Sequence, residues 1–225
     1  MRENIPENAA VRLSLYLRHL RKMKKDKVIS SEELAEFIRT SGARVRKDLS
    51  FFGQFGTTGK GYVVGELEET ISKILGLDEV WTIALVGAGK LGMALLEYSG
   101  FKESGFHIEI AFDVDRSKIG KKLVRVPVYH PYQMPKKIRQ QKINMGIIAV
   151  PAKAAQESAD LLIISGIRAI LNFAPSTLIV PSYVKLLQVD ITSQLEIMAY
   201  FLSHTREEKI LMKRPKWRQV KQDGS

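Results

Sequence analysis

The sequence predicts an α/β protein in two parts: a basic, helical first third, then strands and helices in alternation. Three observations carry this. Ala10, Leu13, Leu17 and Leu20 recur at helical spacing near the start. The composition shifts once, near Leu75–Trp81, from helical patterning to β-branched runs. Trp81–Val86 then leads directly into Gly87-Ala88-Gly89-Lys90-Leu91-Gly92, a glycine turn of the kind that joins a buried strand to a helix.

In the first part, residues 7–24 read as one amphipathic helix. Ser30 with Glu33 forms a capping box that opens a short helix over Glu32–Thr40. Thr40-Ser41-Gly42 breaks it, and Ala43–Phe52 begins another. At 100° per residue, Val45, Leu49 and Phe52 share one face, while Ala43, Arg46, Lys47 and Ser50 share the opposite one. A short helix, a tight turn and a helix with a basic outer face make a helix-turn-helix, whose second helix enters the DNA major groove. Gly53–Val64, with four glycines around Thr57, Thr58 and Lys60, reads as the hairpin of a winged helix. Arg44, Arg46, Lys47, Ser50 and Lys60 are the candidate DNA-contacting side chains.

Charge supports a polyanionic partner. The 225 residues hold 35 Lys+Arg against 24 Asp+Glu, a formal charge of +11. Residues 1–62 carry 13 basic and 7 acidic side chains, and Arg18–Lys27 alone has six basic residues and one acid. A second run, Arg116–Lys142, has nine basic residues and no acid. The absence of cysteine excludes a disulfide scaffold and thiolate metal sites, and no metal is expected. No apolar run nears the roughly 20 residues that span a bilayer, and Met1–Ala10 lacks a signal-peptide pattern. The expectation is a soluble cytoplasmic protein with no membrane partner.

In the second part each glycine of the turn has its own role: Gly87 makes the bend, Gly89 admits a pyrophosphate to the backbone, and Gly92 lets helix meet strand. The helix starting near Lys90 aims its free N–H groups at the phosphates. A second strand, His107–Val114, ends around Asp113, 21 residues after Gly92, where a carboxylate grips the adenosine ribose. Such a carboxylate favours NAD(H) over NADP(H), although Arg116 and Lys118 lie close by. Strands are expected over Ile143–Val150, Ile167–Phe173, Leu178–Val180 and Leu186–Val189, with a helix over Ala152–Ser165. Strand ends bind the ligand in such sheets, which adds Val150, Pro151, Asn172, Phe173 and Ala174 to Gly87, Ala88, Gly89, Lys90, Leu91, Gly92 and Asp113 as cofactor-binding candidates. Thr192–Met212 reads as a helix whose stripe of Leu195, Ile197, Met198, Phe201, Leu202, Ile210 and Leu211 is wide enough to need a second subunit. The expected organisation is a winged-helix domain over 1–78 and a Rossmann NAD(H)-binding domain over 79–191. A C-terminal dimerisation helix over 192–212 and a basic tail over 213–225 follow.

No substrate domain is expected after the nucleotide fold, and His19, His107, His130 and His204 sit in no catalytic pattern, His130 reading as a loop residue. The layout points to a ligand-gated regulator rather than an enzyme. The competing readings are an NAD-dependent oxidoreductase and a DNA-binding protein indifferent to nucleotide.

Several strings resemble the bacterial Rex family of redox-sensing transcriptional repressors. They are Tyr16-Leu17-Arg18, Val45-Arg46-Lys47-Asp48-Leu49-Ser50 with Phe52-Gly53, Gly59-Lys60-Gly61-Tyr62, the glycine turn, Phe112-Asp113-Val114-Asp115 and Leu171-Asn172-Phe173-Ala174-Pro175. The resemblance implies a homodimer that binds an inverted-repeat operator in double-stranded DNA when NADH/NAD+ is low and is released by NADH. It also implies a C-terminal helix swapped between subunits. A switch follows from it too, in which Asp190 pairs with Arg18 in the DNA-bound state and with Tyr98 when NADH is bound. Two positions depart from the family pattern: Thr58 replaces a usual basic residue in the wing, leaving Lys60 for the minor groove. Ile191 replaces an aromatic near the nicotinamide.

Overall fold

The computed structural model describes residues 6–53, 55 and 61–204. The chain divides into two compact units: Met1–Thr82 with Tyr98–His107, and Ile83–Glu97 with Ile108–Ser225.

The first unit is built on α1 (Glu7–Leu20), β1 (Val28–Ile29), α2 (Ser31–Phe37), α3 (Gly42–Ser50), β2 (Tyr62–Val63) and α4 (Val64–Ile74). α1 buries Leu13, Tyr16, Leu17 and Leu20, the spacing that the apolar periodicity predicts. It ends at Leu20, four residues early, because Arg21–Lys27 offers Met23 alone to the core and repeats like charges on successive turns. The capping box of α2 forms as expected: Ser30 Oγ accepts from the Glu33 N–H at 3.0 Å, and Glu33 accepts from the Ser30 N–H at 2.8 Å. α2 stops at Phe37 rather than Thr40, with Arg39 in the left-handed region at φ 53°. Ser41 caps α3, and Val45 and Leu49 point inward while Ala43, Arg46, Lys47 and Ser50 are exposed. The expected wing, Gly53–Val64, falls only partly among the described residues. Tyr62–Val63 pairs antiparallel with Val28–Ile29, and residues 54 and 56–60 lie outside the described residues. α4, which the sequence pattern did not single out, closes the unit by burying Val64, Leu67 and Ile71. Each fully buried leucine of this core contributes about 1.5–3 kcal/mol.

The second unit carries a seven-stranded sheet ordered β5-β6-β4-β3-β7-β8-β9. Its elements are β3 (Trp81–Val86), α5 (Lys90–Glu97), β4 (Phe106–Phe112), β5 (Lys122–Leu123), β6 (Val126–Tyr129), α7 (Met134–Gln140), β7 (Met145–Ile148), α8 (Ala152–Ile164), β8 (Ala169–Asn172), β9 (Lys185–Gln188) and α9 (Ile191–His204); α6 (Ser99–Glu103) belongs to the first unit. β3–β7, β7–β8, β8–β9 and β4–β6 are parallel, and only the edge pair β5–β6 is antiparallel among the pairings described. Taking β3 as the first strand, this is the 3-2-1-4-5-6 order of a dinucleotide-binding sheet, with the topological switch between β3 and β7. The basic run over 116–142 conceals β5, β6 and α7, which its low apolar content hid.

Leu178–Val180 is not a strand, contrary to expectation. The Gln156 amide on α8 takes the place of a neighbouring strand: it donates to the Ile179 carbonyl at 3.0 Å and accepts from the Ile179 N–H at 2.9 Å. α9 is described to His204, and its predicted continuation over 205–212 and the tail over 213–225 lie outside the described residues.

Candidate functional site

The glycine turn sits at the topological switch point. Gly87 adopts φ +94°, which an L side chain resists, and a Cβ there would lie 2.5 Å from the Ala149 carbonyl. A Cβ on Gly92 would lie 2.0 Å from the Gly87 carbonyl, so helix and strand approach only through glycine. Gly89 differs: a Cβ there would meet nothing within 4 Å. Protein packing therefore accounts for Gly87 and Gly92, whereas the bare backbone at Gly89 suits a ligand that must come close. The residues fit a dinucleotide on this observation.

Beside the turn lies a cavity of about 330 Å³. Gly87, Gly89, Asp113, Val150 and Pro151 line it, five of the sequence-predicted positions. Asp113 follows β4 directly. Its Oδ2 accepts from the Ala88 N–H at 2.8 Å and from Lys118 Nζ at 3.2 Å, and its Oδ1 accepts from the Asp115 N–H at 2.8 Å. The carboxylate thus ties the glycine turn to β4 while Oδ1 keeps an acceptor position for a ribose hydroxyl. Burial alone would lower the Lys118 pKa, but hydrogen bonds and charge from Asp113 and Asp115 outweigh it and raise the ammonium above its ordinary value. Lys90 and Leu91 are exposed at the start of α5, and Ala88 and Gly92 are buried.

Asn172, Phe173 and Ala174 are not among the lining residues. Asn172 is fully buried, donating to the Ala174 and Ser176 carbonyls at 3.2 and 3.1 Å and to Gln188 Oε1 at 2.7 Å. It shapes the loop after β8 from within. Tyr132 and Glu157, which no sequence motif selected, also line the cavity, as does His130. His130 is a loop residue as expected, capping a single turn of 3-10 helix. The placing of Tyr132 and Glu157 depends on how β6 and α8 pack, and no local motif signals it.

In the first unit, the exposed face of α3 presents Arg44, Lys47 and Ser50. Ser50 Oγ donates to the Lys47 carbonyl at 2.8 Å, and no ion pair to Arg44 or Lys47 is found among the described residues. Arg46 is engaged within the protein: Nη1 donates to Ser31 Oγ at 2.6 Å and Glu32 Oε1 at 2.7 Å. The bond to Arg46, then that to Ser31, holds Glu32 below the ordinary carboxylate range. Lys60 lies outside the described residues. One acid of α3, Asp48, is fully buried and bonded to Arg12 and Tyr16 of α1. Sequence reasoning missed it, although its position three residues after Val45, on the apolar face, marks it as unusual.

The switch candidates fall in both units: Arg18 and Tyr98 in the first, Asp190 in the second. Arg18 is exposed near the end of α1, and Tyr98 is exposed with its ring edge-on to Phe101. Asp190 precedes α9 as a helix cap, accepting from the Thr192 and Ser193 N–H groups at 3.0 and 3.2 Å and from Ser193 Oγ at 2.6 Å. The Ser193 bonds lower its pKa. Every described residue of α9 except the half-buried Ser193 is exposed, including Leu195, Met198, Phe201 and Leu202.

A helix-turn-helix unit joined to a dinucleotide-binding sheet defines a class of protein, the nucleotide-responsive regulator of DNA. The comparisons with known proteins agree with that class. A family model described as "Putative DNA-binding protein N-terminus" matches residues 4–50, and one described as "CoA binding domain" matches 78–176. The chain is 50% identical over 200 residues to the redox-sensing transcriptional repressor Rex of Pelotomaculum thermopropionicum, covering 88% of this chain and 94% of the relative. It is 45% identical to that of Syntrophomonas wolfei over 201 residues, 88% of this chain and 96% of the relative. Among solved structures, the Rex-family repressor RSP with β-NAD+ and operator DNA matches at TM-score 0.83 and 38% identity, over 89% of this chain and 94% of that one. RSP with β-NADH matches at TM-score 0.80 and 36% identity, over 89% and 95%. The chain belongs to the Rex family of redox-sensing transcriptional repressors.

Proposed function

We propose that this chain is an NADH-responsive repressor that works as a cytoplasmic homodimer and acts as a regulator rather than an enzyme. It holds an inverted-repeat operator when NADH/NAD+ is low and lets go when NADH binds. The observation that carries this reading is the glycine turn: Gly89 stays bare without any steric need inside the protein. In a chain that also carries a basic helix-turn-helix, a nucleotide site reads as a sensor. That RSP has been solved with β-NAD+ and operator DNA, and again with β-NADH, supports it.

In this reading Gly87, Ala88, Gly89 and Gly92, with Lys90 and Leu91 at the N-terminus of α5, hold the pyrophosphate, and Asp113 holds the adenosine ribose. Val150 and Pro151 line the nicotinamide half, and Asn172 sets the loop carrying Phe173 and Ala174 at its far end. The bound dinucleotide supplies redox information only, and no hydride transfer is assigned. Arg44, Lys47 and Ser50 face the major groove, Arg46 joins them by leaving Glu32, and Lys60 reaches the minor groove. A partner subunit covers the apolar residues of α9.

Release follows when Asp190 gives up Arg18 for Tyr98. Carrying the population from 1:99 to 99:1 takes about 5.5 kcal/mol of differential binding, more than one exchanged pair provides, so closure of the dimer around the nucleotide supplies most of it. The test is an anisotropy titration of operator DNA at several NADH/NAD+ ratios. Affinity falling as the ratio rises is expected, and affinity indifferent to the ratio would refute the reading.

A further inference from the structure

α3 carries a single acid, Asp48, and that acid is fully buried. Its Oδ2 accepts from Arg12 Nε at 2.5 Å, its Oδ1 from Arg12 Nη2 at 2.6 Å, and the Tyr16 hydroxyl donates to Oδ2 at 2.9 Å. Arg12 and Tyr16 are one turn apart on α1, so among the described residues one helix supplies every side-chain donor to a carboxylate on another. Bonding to Asp48 raises the Arg12 pKa, and burial, then the bond to Asp48, raises that of Tyr16.

Such a cluster is a poor source of stability. Taking a carboxylate from water costs several kcal/mol, and an apolar trio of similar shape commonly holds two helices as well. What apolar contact lacks is direction. A guanidinium fork on a carboxylate, with a third donor from the same helix, permits one rotation of α3 about its axis and one register along α1. This matters at the opposite face. A turn of about 20° moves a side-chain tip about 5–6 Å from the helix axis by roughly 2 Å, and hydrogen bonds to bases tolerate only a few tenths of an ångström.

We propose that Asp48, Arg12 and Tyr16 form a positioning device that sets the rotation of α3 on α1, and through it the aim of Arg44 and Lys47 at nucleic acid. The proposal rests on the reading of α3 as a recognition helix. It gives Asp48 a role in sequence preference without any contact to DNA.

The test uses the full chain with Arg12→Met, Tyr16→Phe and Asp48→Leu combined. Duplexes enriched from a random pool by the wild type are compared with scrambled ones, beside thermal melting and hydrogen exchange over residues 42–50. The expected result is a melting temperature within about 5 °C of the wild type, salt-dependent binding of scrambled duplex retained, and preference for the enriched duplex down about tenfold or more. Preference within about twofold of the wild type in a folded variant would overturn the proposal. If the triple variant does not fold, Tyr16→Phe alone carries the test: a preference lower by about threefold or more supports it, and an unchanged one overturns it. A wild type that enriches no duplex would refute the recognition-helix reading instead. Exchange over α3 then decides for the device: faster exchange in the variant supports it, and unchanged exchange overturns it.

Discussion

The two units place function in different parts of the chain. In the second, the site is a property of the backbone: Gly87 and Gly92 are required by the turn itself, and Asp113 is fastened to that turn through the Ala88 N–H. In the first, the candidate site is a set of side chains on an exposed helix face, and its aim depends on a buried ionic cluster contributed from α1. A backbone site is specified locally, within one turn and the strand beside it. A surface site is specified by the packing behind it.

The sharpest way to break that comparison lies within the glycine turn. Gly92→Ala brings a Cβ to 2.0 Å from the Gly87 carbonyl, so it should lower the melting temperature and abolish detectable NADH binding in calorimetry. Gly89→Ala, with open space at its Cβ, should leave melting unchanged and still weaken NADH by about tenfold or more. If Gly89→Ala binds NADH as the wild type does, the turn is structural and no pyrophosphate approaches it.

Asp113→Ala should lose NADH affinity by about 1.5–3 kcal/mol, the worth of hydrogen bonds to a charged group. It also leaves Lys118, 3.2 Å from Asp113, paired with Asp115 alone and so more open to a 2′-phosphate, and the gap between NADH and NADPH should narrow. Adding Lys118→Ala should reverse the NADPH gain. Calorimetry on both variants checks this, and an Asp113→Ala protein no better with NADPH would remove Lys118 from cofactor choice.

In the first unit, Arg46→Ala should weaken the operator by about 1–3 kcal/mol and flatten preference at one position per half-site. Because Arg46 is held by Ser31 and Glu32 in the free protein, Glu32→Gln should ease its transfer and slightly strengthen binding. Lys47→Ala should weaken all duplexes alike and reduce the salt slope by about one. A uniform loss in Arg46→Ala would make it a phosphate contact.

The smallest effect separates two roles of Asp190. Asp190→Ala removes a helix cap as well as a charge. Asp190→Asn keeps the cap and removes only the charge, so it should melt near the wild type yet release DNA less fully at saturating NADH. Normal release in Asp190→Asn would place the coupling in subunit rotation alone. Separately, burial lowers the His19 pKa, with Lys22 and Lys27 adding to it, so its neutral form is favoured in the folded unit. Its contribution is present above the unfolded value of about 6.5 and is lost as pH falls below it. Melting of the wild type, but not of His19→Gln, should drop modestly between about pH 7.5 and 5.5.

Much of this was legible in the sequence because the signals are local. Ser30 and Glu33 meet within one helical turn, Leu13, Leu17 and Leu20 repeat at helical spacing, and strand, glycine turn and Asp113 stand in chain order. What went unread was non-local or disguised. Leu178–Val180 has a strand's composition, but Gln156, 23 residues before Ile179, holds its backbone instead of a neighbouring strand. β5 and β6 lie in a basic run whose apolar positions are too few to show alternation. Asn172 looked like a ligand-facing strand end and turned out to be bonded inward to Gln188.

By itself, then, the sequence determined the three helices that open the chain, the position of the glycine turn and the basic outer face of α3, since each follows from the periodicity or stereochemistry of neighbouring residues. Tertiary structure alone decided which side chains close the cavity, that Arg46 rests on Glu32, and that Asp48 is buried under Arg12 and Tyr16. The last two arrangements join residues 14 to 36 positions apart in the chain, the cavity joins residues farther apart still, and no local rule of spacing or propensity reaches across such separations.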